Sequence, residues 1–217
     1  YSSGTVVKYS VEEISEVPGY TSKITGNTTA GFTITNTHEV ETISLSGTKT
    51  WNDANNQDGK RPESITVNLL ANGEKIDSKT VTAKDKWKYS FDNLPKYKEG
   101  QEIEYTLTEN EVAGYETAVN DLNITNTHKP EVTKVTGTKT WNDADNQDGK
   151  RPESITVNLM ADGKKVDSKT VTAKDKWAYS FANLPKYKEG KEIEYTITEE
   201  AVAEYETVIN GHNIINT

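Results

Sequence analysis

The sequence contains no cysteine, so it forms neither disulfides nor thiolate metal sites. It has no apolar run of the length that spans a membrane, so membrane insertion is not expected. Basic residues are outnumbered, with 25 Lys and Arg against 34 Asp and Glu and a net charge of −9. Nucleic-acid binding needs clustered Lys and Arg facing phosphates, and this balance argues against it. The charges are interspersed, as on a solvated surface. No window longer than two turns has helical periodicity. Nor is there a Ser-His-Asp or Cys-His arrangement, or a carboxylate pair spaced for a cleft. No cofactor is expected.

What the chain does have is a repeat. Lys49 in GTKTWND recurs as Lys139, Glu109 in EYTLTE as Glu199, and Asn126 in NITNT as Asn216. About four positions in five from Gly47 to Asn126 match the copy from Gly137 to Asn216. A fixed period of this size means an array of like units. Each unit reads as short strands rich in Thr, Val, Ile, Tyr and Trp, separated by turn residues. In the first repeat strands are expected near residues 43–51, 64–71, 74–82, 86–92, 101–109, 114–119 and 121–127. Asn72-Gly73, repeated as Asp162-Gly163, predicts a two-residue hairpin turn. Trp87, Tyr89 and Phe91 alternate as core residues do, which argues against a sugar platform. Short strands at this spacing indicate an all-β sandwich.

The strand register poses the functional question. Alternate side chains share a face of a strand. The face with Leu45, Gly47 and Trp51 therefore carries Lys49, and the face with Ile103, Tyr105 and Leu107 reaches Glu109. Likewise Leu122 and Ile124 share a face with Asn126. All three polar residues point toward the core. A buried lone lysine or carboxylate is costly unless paired or neutralised. Burial lowers the pKa of an amine and raises that of a carboxylic acid. A neutral amine beside a protonated acid and a carboxamide has the parts of an acyl transfer. The amine attacks the asparagine carbonyl, the acid polarises it and moves protons, and ammonia leaves. The residues alone also allow an unreacted hydrogen-bonded triad, or a lysine whose amine reaches solvent.

The Lys-Thr-Trp opening, the NQDGKRPESITVNL run, the W-x-Y-x-F strand followed by NLPKY, the EYTLTE segment and the closing TNT resemble one known family. These are the B-type repeats of collagen-adhesin surface proteins of Gram-positive bacteria. The resemblance covers both repeats and, more weakly, the N-terminal segment. It implies tandem inverted immunoglobulin-like, or prealbumin-like, β-sandwich modules. It also implies that the first-strand lysine bonds to the last-strand asparagine with help from the glutamate. Those roles fall on Lys49, Glu109 and Asn126, and on Lys139, Glu199 and Asn216, with no departure at any of the six.

Three segments follow. Residues 41–128 and 131–217 are the complete repeats, and residues 1–38 are the C-terminal part of a truncated upstream repeat. In that part Tyr9, Val11 and Glu13 align with Tyr105, Leu107 and Glu109, and Phe32, Ile34 and Asn36 align with Leu122, Ile124 and Asn126. Glu13 and Asn36 thus form an orphan half-site without a nucleophile, because Lys8 aligns with the outward-facing Glu104. The stretch Thr21–Gly31 reads as a longer loop than its counterpart. The connectors Thr-His-Glu-Val-Glu and Thr-His-Lys-Pro-Glu are short and alike, and Pro130 stiffens the second. Equal connections favour an extended rod of repeats that contact their neighbours in the chain. His38 and His128 at these connectors lack ligand partners in the sequence, so no metal site is assigned to them. The run Trp51–Gly59, Asp/Asn-rich like its copy, has acidic spacing one residue off a calcium loop and no bidentate glutamate. It reads as an Asx-and-glycine turn.

The leading expectation is a structural stalk of an extracellular, cell-wall-anchored adhesin, holding a distal ligand-binding region away from the cell. The alternative is a module that contacts host matrix protein or glycan through exposed loops such as those of Tyr97 and Tyr187. An enzyme acting on an external substrate is not expected, since the chemistry is a single turnover on the chain itself. No signal peptide is visible. The nearest string to an LPxTG-like sorting motif, Leu94-Pro95-Lys96-Tyr97, lacks its threonine and glycine. The sequence thus reads as an internal piece of a longer secreted protein.

Overall fold

A computed structural model describes residue 4 and residues 6–217. Alternating side chains build strands from Tyr20 onward, and among the described residues the helical content is two three-residue 3-10 turns at Ala83–Asp85 and Ala173–Asp175. The N-terminal segment forms one antiparallel hairpin of β1 (Tyr20–Asn27) and β2 (Gly31–His38). The first repeat contains β3 (Thr42–Asn52), β4 (Ser64–Ala71), β5 (Glu74–Thr82), β6 (Lys88–Pro95), β7 (Tyr97–Lys98), β8 (Gln101–Glu102), β9 (Tyr105–Glu109), β10 (Glu116–Asn120) and β11 (Asn123–Thr127). The second repeats this order as β12 (Val132–Trp141), β13 (Ser154–Ala161), β14 (Lys164–Thr172), β15 (Ala178–Pro185), β16 (Tyr187–Lys188), β17 (Lys191–Glu192), β18 (Tyr195–Glu199), β19 (Thr207–Asn210) and β20 (Asn213–Asn216).

Each repeat is a sandwich of two main sheets. In the first, β10-β11-β3-β6 faces β5-β4-β9, and in the second β19-β20-β12-β15 faces β14-β13-β18. The first and last strands of each repeat are parallel neighbours. Ile124 lies opposite Lys49 and Asn126 opposite Trp51, and Ile214 and Asn216 take the same places against Lys139 and Trp141. Between the sheets Ile65, Val67, Leu69, Val81, Tyr89, Phe91, Leu94, Leu107 and Ile124 form the first core, and the second repeats it. Gly47 has a packing reason. A Cβ there would sit 1.7 Å from the carbonyl oxygen of Leu122, to which the Tyr89 hydroxyl donates at 2.7 Å. Only a glycine lets the chains approach this closely.

The Asn72-Gly73 turn has left-handed φ values of 49° and 84°, the type I′ geometry that suits a twisted hairpin. Three expectations need correction. Lys86 and Trp87 are left-handed, so β6 begins at Lys88 and Trp87 reaches the core from the turn rather than from a strand. The expected strand 101–109 is split, because residues 101–102 turn back on β7 while Ile103 donates to Lys96. Thr21–Gly31 is mostly strand β1, paired residue for residue with β2, and its turn is short.

Candidate functional site

The site of each repeat lies between the two sheets. Lys49 on β3 and Asn126 on β11 come from one sheet, and Glu109 at the end of β9 comes from the other, where it pairs with Val67. Because β3 and β11 are parallel neighbours, Lys49 and Asn126 are diagonal neighbours on one face, a spacing that long side chains bridge. The side chains of Lys49 and Glu109 are fully buried, with Nζ 3.8 Å from Oε1. In the second repeat Lys139 Nζ donates to Glu199 Oε1 at 2.6 Å, again between fully buried groups.

The asparagines are less comfortable. Asn126 and Asn216 are 0% exposed. Neither the Nδ2 nor the Oδ1 of either carboxamide has a hydrogen-bond partner. An unmet buried polar atom costs about 1–3 kcal/mol, and such atoms are rare in native interiors.

The surroundings pull the amine both ways, burial toward the neutral form and the aromatic face and nearby carboxylates toward the charged one. Lys49 Nζ lies 3.8 Å from the centre of the Trp51 ring, and Trp51 packs edge-on against Trp87 and Tyr115. Burial pushes the Lys49 amine down to about 8, although Glu109 and Asp53 pull the other way. Lys139 is lowered for the same reason. Beside the tryptophan, Asp53 accepts from Arg61 Nε at 3.0 Å and Nη2 at 2.6 Å, and from the Tyr115 hydroxyl at 2.9 Å. Burial acts to raise the Asp53 carboxyl, but these donors and the Asn56 N–H outweigh it and hold it at about 2. Asp53 is therefore committed to partners within its own repeat.

Sequence reasoning missed one contact. The Thr117 hydroxyl donates to Glu109 Oε2 at 2.8 Å, and Thr207 does the same to Glu199. Thr117 stands directly opposite Asn126 in the ladder. It orients one carboxylate oxygen and leaves Oε1 facing the lysine. Its recurrence in both repeats was the available signal, together with its place two residues before Val119 on the face that Ile124 and Asn126 share.

Glu13 and Asn36, the residues of the expected half-site, also meet. Asn36 Nδ2 donates to Glu13 Oε1 at 2.8 Å, on the surface rather than in a core. Hydrogen bonds from Ser22 and Asn36 lower the Glu13 carboxyl.

A family model described as the Cna protein B-type domain matches residues 1–37, 45–127 and 135–217. The chain belongs to the Cna B-type domain family. It is 36% identical to a collagen adhesin of Staphylococcus aureus over 99% of its length, and spans 26% of that protein. The crystal structure of two B repeat units, B1B2, of the collagen binding protein of Staphylococcus aureus superposes with a TM-score of 0.57. It is 42% identical and matches 100% of this chain and 59% of that one. The repeats described here thus match the B repeat units of that collagen binding protein and the B-type domain model alike.

Proposed function

We propose that residues 41–128 and 131–217 are stalk modules of a cell-wall-anchored adhesin. Each is closed by an intramolecular isopeptide bond, Lys49–Asn126 in the first and Lys139–Asn216 in the second. The observation that carries the reading is the fully buried asparagine carboxamide with both polar atoms unpartnered, diagonal to a buried lysine. As side chains awaiting reaction these groups make sense. As permanent residents of a core they are a standing cost.

The chemistry is balanced within the triad. A proton passes from the Lys49 ammonium to the Glu109 carboxylate, giving an amine and a carboxylic acid in an apolar box. The amine nitrogen attacks Cγ of Asn126 while the acid donates to Oδ1, the atom on which charge develops. Glu109 then carries the proton from the new N–C bond to the leaving nitrogen. The C–Nδ2 bond breaks as the Oδ1 proton returns to Glu109, the carbonyl re-forms and ammonia departs. The side chains of Glu199, Lys139 and Asn216 do the same in the second repeat. Residues 1–38 contribute Glu13 and Asn36 of an upstream module.

The Staphylococcus aureus relative is named a collagen adhesin. Binding of matrix protein is assigned here to regions outside these repeats, which serve to project them. Intact mass spectrometry of the purified chain tests the cross-links. Two lost ammonia molecules lower the mass by about 17 Da each. The full unmodified mass would refute the reading.

A further inference from the structure

The joint between the repeats is a built interface. The buried Asp58 carboxylate accepts from His128 Nε2 at 2.9 Å and from the Glu131 N–H at 2.8 Å. His128 Nδ1 faces the Gly114 carbonyl at 2.7 Å, so the ring is held at both nitrogens. The Glu131 carboxylate takes Lys60 of the first repeat at 2.9 Å and Lys186 of the second at 3.2 Å. The Gly190 N–H donates to the Gln57 carbonyl at 3.0 Å. A Cβ on Gly59 would lie 2.5 Å from Gly190 Cα, so the backbones touch.

The receiving loop of this joint, NQDGK, is spelled identically at Asn146–Lys150 in the second repeat. There Asp148 and Gly149 are exposed. Asp148, with Asn142, Lys150, Glu204 and Thr217, borders a cavity of about 520 Å3. One residue differs. Glu204 stands where the first repeat has Gly114, keeps a left-handed φ of 68°, and accepts from Lys150 at 2.9 Å. A side chain at this place does not close the site, since a Cβ on Gly114 would make only an ordinary 3.6 Å contact with Lys60. The Lys150–Glu204 pair is exposed, and exposed pairs are weak enough to yield to another carboxylate.

We infer that this cavity is the receiving half of a second joint, and that its occupant is the leading edge of a further B-type module. That edge consists of a Thr-His-x-x-Glu connector, the lysine that pairs with its glutamate, and a Lys-Glu-Gly turn. The chain carries two such edges. One is Glu131, Lys186 and Gly190, and the other is Glu41 and Lys96, paired at 3.1 Å, with Gly100. His38 already holds the Gly19 carbonyl at 2.7 Å as His128 holds that of Gly114. The inference rests on the tandem-module reading and is independent of the cross-links.

The test is an extended chain with residues 128–217 appended after Thr217, which recreates the Thr127–His128 junction. Backbone hydrogen exchange is followed at Gly190 and at its appended copy. The appended glycine should exchange within about tenfold of Gly190, and Asp148→Asn should speed the copy while leaving Gly190 unchanged. Asp58→Asn should do the converse. Glu204→Gly should slow the copy further by freeing Lys150. If the core amides of all modules are protected while the appended glycine exchanges as an exposed residue, the cavity is no joint. Intact mass reports the cross-links separately, so failure of one reading is not mistaken for failure of the other.

Discussion

Asn126 and Asn216 have the surroundings that make least sense without chemistry, and Glu109 and Glu199 stand beside them as the groups able to move a proton. Glu109→Gln should abolish the bond in the first repeat only, because an amide neither donates to the Asn126 carbonyl as an acid nor accepts the released proton. The second repeat has its own core and triad, so intact mass should fall by one ammonia instead of two. Loss of two would remove Glu109 from the mechanism. A second expectation uses pH. Asn126→Ala keeps Lys49 as a free amine, whose folded value of about 8 lies below its ordinary 10.5. Between these values the unfolded chain binds more protons, so stability rises with pH across that window, and below it the burial penalty is felt in full. Burial of Tyr89, raised from 10.0 to about 12, acts oppositely above pH 10. The urea midpoint of the first repeat in Asn126→Ala should therefore be higher at pH 9.5 than at pH 7.5. Equal midpoints would mean the amine is not desolvated. At this scale the sequence was informative about which side chains turn inward, since period two decides that. It was silent on Thr117 and on the Asp53–Arg61 pair, because alternation says nothing about which edge-strand or loop residue reaches a particular carboxylate.

The elements joined by the proposed bond are the first and last strands of a module, which are already hydrogen-bonded neighbours. Closing a loop from Lys49 to Asn126 removes conformational freedom from the unfolded chain, much as a disulfide does, and contributes about 4 kcal/mol on that analogy. Lys49→Ala should leave a folded first repeat that melts on the order of 20 °C lower and is cut faster by protease. The second repeat is the internal control. An unchanged melting transition, with the missing bond confirmed by mass, would show that β3 and β11 need no covalent tie. The strands themselves were mostly legible from side-chain alternation and turn residues. Their adjacency was not, because a parallel pair between the two ends of a module leaves no local mark. The left-handed pair Lys86-Trp87 was also hidden, since neither residue favours that conformation and the surrounding core imposes it.

A stalk is loaded at its ends, and the geometry of the whole molecule decides what that load meets. Force enters the first repeat at the Thr42 end of β3 and leaves at the Thr127 end of β11. The strands are parallel, so these are opposite ends of one ladder, and the load shears it. Peeling would need the strands loaded at the same end. The ladder between them is short, running from Lys49 opposite Ile124 to Asn52 opposite Thr127. Without a bond its hydrogen bonds are all that resist, and forced unfolding follows the rate at which they fail. A Lys49–Asn126 bond lies within this ladder and carries the load across it, so residues 50–125 feel none. Between the repeats the load passes through the connector, where Asp58, His128 and Glu131 hold the two modules together. Pulling the chain from Tyr1 and Thr217 should therefore give almost no extension from either repeat. Lys49→Ala should add one unfolding step, lengthening the chain by roughly 3.3–3.6 Å for each residue released, while the second repeat stays shut. Full extension of both unmutated repeats at modest force would mean that the load does not pass through a covalent crossing.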